Sequence, residues 1–103
     1  MNDNRRAFRR ILFPLDAQPV LHLAGDSYRI RDCSERGLSF FRSGDDDFAP
    51  ERRLSGRLEF RDGEAVEVSG RIVRTFADVV AVELTERGIP LAVIASEQRR
   101  LSA

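Results

Sequence analysis

Tyr28-Arg29-Ile30-Arg31-Asp32-Cys33-Ser34-Glu35-Arg36-Gly37 is the stretch on which the fold turns. Its first five residues alternate apolar and polar with period two, the pattern of a strand with one face on a core and one in water. From Asp32 to Gly37 a carboxylate, a hydroxyl and a glycine follow at fixed spacing, at what reads as the end of that strand. Upstream, Ala17 to Ala24 reads as another strand, with Leu21 and Leu23 on one face and Val20 and His22 on the other. Gly25-Asp26-Ser27 between them is a turn signal, so the two make a hairpin. Downstream, Gly37 to Phe41 is a short third strand.

The pattern continues outward. Arg42 to Arg53, with Gly44, Asp45-Asp46-Asp47 and Pro50, reads as a long loop. Leu54 to Phe60 and Val66 to Arg74 flank Arg61-Asp62-Gly63-Glu64, a second hairpin signal. Val66, Val68 and Ile72 share a face, as do Val80, Val82 and Leu84 in a further strand from Val79 to Leu84. The tail then changes period. Pro90 suits the first turn of a helix over about residues 88–101, and Leu91, Ile94, Gln98 and Leu101 recur at helical spacing. Arg99 and Arg100 fall in its last turn, where positive charge complements the helix dipole. Six short strands closed by one helix predict an all-β domain, a small antiparallel six-stranded barrel with a C-terminal α-helix.

The chain has 103 residues, the size of one domain with a modest core. No apolar run approaches the roughly 20 residues of a membrane span, and the N-terminus has no signal-peptide core, so a cytoplasmic protein is expected. A single cysteine, Cys33, rules out an internal disulfide framework and a multi-cysteine zinc site. All 17 basic residues are arginine, and they balance 17 acids. Zero net charge speaks against a general DNA or RNA binder, whose partner is a polyanion. A small anionic ligand needs only a local positive patch.

Such a patch stands at the front of the chain, in Arg5-Arg6-Ala7-Phe8-Arg9-Arg10. Guanidinium forks suit phosphate oxygens and guanine edges and stack on base faces. Residues 1–10 read as an exposed arm, and 11–103 as the barrel domain. Phe8 and Ile11 would anchor the arm on the barrel.

An Arg-x-x-x-Arg arm followed by Asp/Asn-x-Ser-x-x-Gly resembles the signature of the PilZ family, bacterial receptor domains for the second messenger cyclic di-GMP. Here the arm is Arg6-Ala7-Phe8-Arg9-Arg10 and the second element is Asp32, Ser34 and Gly37. The likeness continues through Ser69-Gly70-Arg71-Ile72-Val73-Arg74, Val80-Ala81-Val82-Glu83-Leu84 and the helical tail. Ala81 stands where many members have glycine, and Leu84 where they have an aromatic; both are conservative for core packing. The resemblance implies that Arg6 and Arg10 contact phosphate and guanine, although Arg5 and Arg9 fit the same spacing. A third guanidinium at Arg5 would favour two intercalated ligands over one. Asp32 would accept from a guanine edge or hold an arginine fork, Ser34 would donate to the ligand, and Gly37 would allow a sharp turn and close backbone approach. The competing reading of Asp32 and Ser34 is a local turn, with both side chains on nearby backbone. Arg31, Arg36 and Arg71 border the site and would add phosphate contacts, Arg74 with less weight; otherwise they are surface charge.

Other residues point to no chemistry. Asp45-Asp46-Asp47 lacks a calcium-loop frame and reads as a solvated loop, so no metal is expected. His22 reads as a solvent-facing strand residue, and Cys33 as a small buried side chain. No catalytic constellation appears, so the protein is read as a non-enzymatic receptor that needs no cofactor. Its ligand would be cyclic di-GMP, and its output a separate, unidentified downstream protein or weak self-association. Two alternatives remain: a protein-interaction adaptor of the same fold, and an oligonucleotide-binding barrel. The latter is disfavoured by one tyrosine and no tryptophan.

Overall fold

The computed structural model describes residues 10–43 and 48–102. Along them run β1 (Ile11–Leu12), a 3₁₀ turn (Leu15–Ala17), β2 (Val20–Leu23), β3 (Asp26–Ser34) and β4 (Gly37–Phe41). There follow β5 (Arg53–Glu59), β6 (Ala65–Phe76), β7 (Val79–Arg87) and helix α1 (Leu91–Ser102). Strands pair antiparallel in the order β3-β2-β5-β6-β7-β4, and β4 pairs back onto β3. Six strands thus close into a barrel with one C-terminal helix, as the alternation predicted. Among the described residues, closure leaves no long unpaired edge to recruit another chain. The short β1 lies along β3, with Ile11 opposite Cys33 and Leu12 opposite Asp32.

Several boundaries differ from expectation, each for a local reason. The first barrel strand begins at Val20 rather than Ala17, because Ala17 closes a 3₁₀ turn by donating to the Pro14 carbonyl at 2.9 Å. The β2–β3 turn is Ala24-Gly25, one residue earlier than expected, and Asp26 and Ser27 already pair in the ladder. Both turn residues have positive φ (48° and 92°), the geometry whose twist matches a two-residue hairpin. The final helix starts at Leu91, not near 88, because Pro90 caps it: the Pro90 carbonyl accepts from Val93 (3.0 Å) and Ile94 (3.2 Å). Its buried face is Val93, Ile94 and Glu97 with Leu101 partly buried, whereas Leu91 is 60% exposed. The phase is set upstream, where the Ile89 amide is fixed on the Glu35 carbonyl (3.0 Å).

One irregularity matters more than the rest. Ile30 pairs with Phe40 but Asp32 pairs with Ser39, so β3 spends an extra residue against β4 between them. A bulge of this kind flips the parity of everything after it. Tyr28 and Ile30 point into the core, and strict alternation would send Asp32 after them. The bulge turns Asp32 outward and gives the inward position to Cys33, which faces Leu38.

Inside, Leu21, Ile30, Phe40, Leu58, Ile72 and Val80 are fully buried, each contributing roughly 1.5–3 kcal/mol of hydrophobic stabilisation. Tyr28, Phe40 and Phe48 form an aromatic triad with centroids 5.2–5.5 Å apart. Thr75 donates to the Phe48 carbonyl at 2.7 Å, which ties the loop after β4 to the barrel. The Asp45-Asp46-Asp47 triplet lies outside the described residues.

Gly70 and Gly88 permit backbone contacts that no side chain would. A Cβ on Gly70 would sit 1.9 Å from the Glu83 carbonyl oxygen of the neighbouring β7. A Cβ on Gly88 would sit 2.3 Å from the Glu35 carbonyl oxygen. Both obstacles are backbone and cannot swing away. We expect Gly70→Ala to cost about 3 kcal/mol, or more than about 10 °C in Tm by circular dichroism. Gly63→Ala, where φ is +94° but nothing lies within 4 Å, should cost about 1 kcal/mol through backbone strain alone.

Candidate functional site

The bulge, β1 and the β3–β4 hairpin together assemble the site. Residues directly opposite in an antiparallel ladder share a face, so two rows run across the outside of the barrel. One is Ser34, Gly37, Glu83 and Arg71, taken in turn from β3, β4, β7 and β6. The other is Leu12, Asp32, Ser39, Ala81 and Arg74. Their centre is small or polar, and the β6 end of each carries arginine. Ala81, expected as a core substitution, is instead half-buried on this outer face. Leu84 is fully buried, as expected.

Arg10 arrives through β1. Burial of Ile11 and its pairing with Cys33 bring the preceding guanidinium over the Asp32 row. Arg10 Nη1 donates to Asp32 Oδ1 at 2.5 Å, and Arg31 Nη1 lies 3.4 Å from Oδ2. The side chain of Asp32 is 6% exposed while that of Arg10 is 57% exposed. A nearly buried carboxylate therefore holds a guanidinium that still faces water. On its other side Arg10 Nη2 reaches Gly37, 3.7 Å from where a Cβ would stand. That imagined Cβ is also 3.3 Å from the Val82 carbonyl oxygen and 3.8 Å from Ser34 Oγ. Gly37 is thus needed for close approach and not for a turn: the Glu35-Arg36 turn has no positive φ among its residues. Its carbonyls instead accept from Ile89 (3.0 Å) and Leu84 (2.9 Å), which lock the hairpin onto β7 and the start of α1.

Arg10, Asp32, Ser34 and Gly37 are therefore brought together, with Arg31 beside them. Asp32 bonds to arginines and not to nearby backbone, so the local-turn reading fails for it. For Ser34 that reading holds at the limit of hydrogen-bond geometry, with Oγ 3.5 Å from the Gly37 carbonyl oxygen. Arg36 is exposed on the hairpin tip, beside a shallow cleft of about 240 Å³ shared with Gly88 and Pro90. Arg71 shares the row of Gly37 but is engaged by Glu51 (2.7 Å) and Glu83 (2.8 Å), both of which hold it protonated. Arg5, Arg6 and Arg9 lie outside the described residues.

Three features were not read from the sequence. Ser39 sits two residues beyond Gly37 on the same face, and that spacing was the available signal. Leu12, opposite Asp32, is 68% exposed and gives the site an apolar rim. Glu97 is 1% exposed under α1 and pairs with Arg100 three residues on, a pairing legible only once the buried helix face is known. Between Arg10, Ile11 and the helix residues Gln98, Leu101 and Ser102 is an open cleft of about 340 Å³. A cleft of about 390 Å³ lies elsewhere, between the Ala24-Gly25 turn and the start of β5, away from the Asp32 row. His22 bridges Ser27 (3.1 Å) and Glu59 (3.0 Å) on the outer face, half-exposed as expected.

Cys33 lies beneath the site and is fully buried. Burial, reinforced by the Asp32 and Glu97 carboxylates, pushes its thiol up to about 12 against a small opposing effect of Arg10. An inert thiol follows, since the thiolate is the reactive form. Between the ordinary value of 9.0 and about 12 the folded state keeps a proton that the unfolded state has lost, so this group's stabilisation fades as pH rises through that window. Native protein at pH 8 should react with a thiol-specific disulfide reagent at least about 100-fold more slowly than protein in 8 M urea; comparable rates would contradict the burial.

A family model described as PilZ domain matches residues 3–92 of the 103, from within the arginine arm to the first turn of α1. No curated protein matches the chain. Arg10, Asp32, Ser34 and Gly37 converge on the outside of a closed six-stranded barrel, and the family model spans every strand of that barrel. The chain belongs to the PilZ domain family.

Proposed function

We propose that this domain is a receptor for cyclic di-GMP, and that the observation carrying the proposal is the Arg10–Asp32 pair. The carboxylate orients a half-exposed guanidinium next to Ser34 and over Gly37. From there the fork can turn to a phosphate or to O6 and N7 of a guanine, contacts worth about 1–3 kcal/mol of base discrimination each. The remaining lone pairs of Asp32 suit guanine N1–H and N2–H donors. Leu12 offers apolar surface to a base face, and Arg31 adds a second positive charge.

Residues 1–10 act as the ligand-binding arm and 11–103 as the body. Arg6 and Arg10 supply the main phosphate and guanine contacts, and Arg5 and Arg9 complete the cluster. Binding fixes the arm over the outer face and changes the surface offered to a downstream protein, by an amount set by the ligand's preference for the ordered state. The role is non-enzymatic. No helix among the described residues is long and apolar enough to cross a membrane. The processes that fit are the motility, exopolysaccharide and biofilm controls associated with the family.

Calorimetric titration tests the reading. Cyclic di-GMP should bind wild-type protein at micromolar Kd or tighter, and Arg6→Ala/Arg10→Ala should abolish the heat. Asp32→Ala should weaken binding by at least about 10-fold through loss of a charged hydrogen-bonding partner. Arg71→Ala should change Kd by less than about 2-fold, because its guanidinium is already engaged by two carboxylates. A ratio of two ligands per chain supports stacking on Arg5, and a ratio of one counts against it. Absence of heat with wild type rejects the receptor and leaves the protein-interaction adaptor.

A further inference from the structure

Ser39 is 4% exposed, and its hydroxyl has no hydrogen-bond partner among the described residues. Buried hydroxyls without partners are uncommon in folded proteins because their desolvation is uncompensated. An alanine or valine would serve the strand here without that cost. Ser39 also stands directly opposite Asp32 in the ladder, on the same outer face, where paired Cβ atoms lie about 4.5–5.5 Å apart. That pairing puts the hydroxyl and the carboxylate on neighbouring Cβ atoms.

We infer that Ser39 is a positioning residue for Asp32, its hydroxyl held in reserve to donate to that carboxylate when Arg10 leaves. As the site stands, Asp32 has one short donor, Arg10 at 2.5 Å, and one long one, Arg31 at 3.4 Å. A carboxylate accepts about four hydrogen bonds, so the pair leaves acceptor capacity open. Arg10 is the exposed partner and the one a phosphate would draw away; Asp32 is the buried one and cannot follow. Removing the donor from a buried carboxylate is costly unless another replaces it. Ser39 lowers that cost and keeps Asp32 aimed outward while Arg10 engages a ligand. The reserve role stands on the ladder geometry alone; the consequence for ligand affinity rests on the receptor reading.

A double-mutant cycle without ligand isolates the reserve role, using Tm of wild type, Ser39→Ala, Arg10→Ala and the double variant. Arg10 is exposed and Ser39→Ala removes one atom, so all four should fold. Ser39→Ala should leave Tm unchanged or raise it by a few °C in wild type, where the idle hydroxyl carries only its desolvation cost. In the Arg10→Ala background it should lower Tm by about 5 °C, and an added Asp32→Asn substitution should remove the difference. Equal shifts in both backgrounds overturn the inference. With ligand, Ser39→Ala should raise the Kd for cyclic di-GMP about 5-fold; an unchanged Kd overturns its role in ligand exchange. If wild type takes up no cyclic di-GMP, the receptor reading fails, and the ligand-free cycle still decides Ser39.

Discussion

The extra residue in β3 between Ile30 and Asp32 is the constraint on which the site depends. Side chains on a strand alternate, so a residue at the parity of Tyr28 and Ile30 belongs in the core. A carboxylate there, among Leu38, Phe40 and Ile30, would be buried without a guanidinium to meet it, at a cost the domain could not carry. The bulge exchanges neighbours instead. Cys33, small and weakly polar, takes the inward place, and Asp32 meets Arg10 and Arg31 on the outside. The core and the site are thus settled by the same irregularity.

The hairpin that follows is held from three sides. Leu84 and Ile89 donate to the two turn carbonyls, and Gly88 leaves room for the Glu35 carbonyl to approach. The last of these contacts also fixes where α1 begins. Helix phase, in turn, places Glu97 beneath Cys33, within electrostatic reach of the thiol. Site and helix are therefore mechanically continuous: Arg10 and Ile11 form one wall of a cleft whose other wall is Gln98, Leu101 and Ser102. Whatever Arg10 does on the outer face is done against the helix. The family model extends only to Ala92, so this helix wall lies beyond the matched region.

Charge is distributed with a similar economy. The seventeen arginines are not one basic surface, because several are matched to carboxylates across strands, Arg71 to Glu51 and Glu83, and Arg53 to Glu86. Such exposed pairs contribute little to stability. Their effect is to leave local positive potential near Arg10 and Arg31, where the carboxylate they share is single and nearly buried.

Much of this was legible in the residues. Alternation in Tyr28 to Asp32, in Val66 to Ile72 and in Val80 to Leu84 specified six strands, because period two is a direct consequence of the pleat. The change of period after Pro90 specified the closing helix, and the order of Arg6, Arg10, Asp32, Ser34 and Gly37 specified the family. What alternation could not carry was the face of Asp32, since a bulge is a feature of two strands in register and leaves no mark in one. Nor could it carry the idle hydroxyl of Ser39, the exposed Leu91 or the buried Glu97. Those depend on which neighbours a closed barrel brings within hydrogen-bonding or packing distance. Local sequence determined the elements and the chemistry available to them; only closure of β4 onto β3 decided which side chains share a face and which of them are buried there.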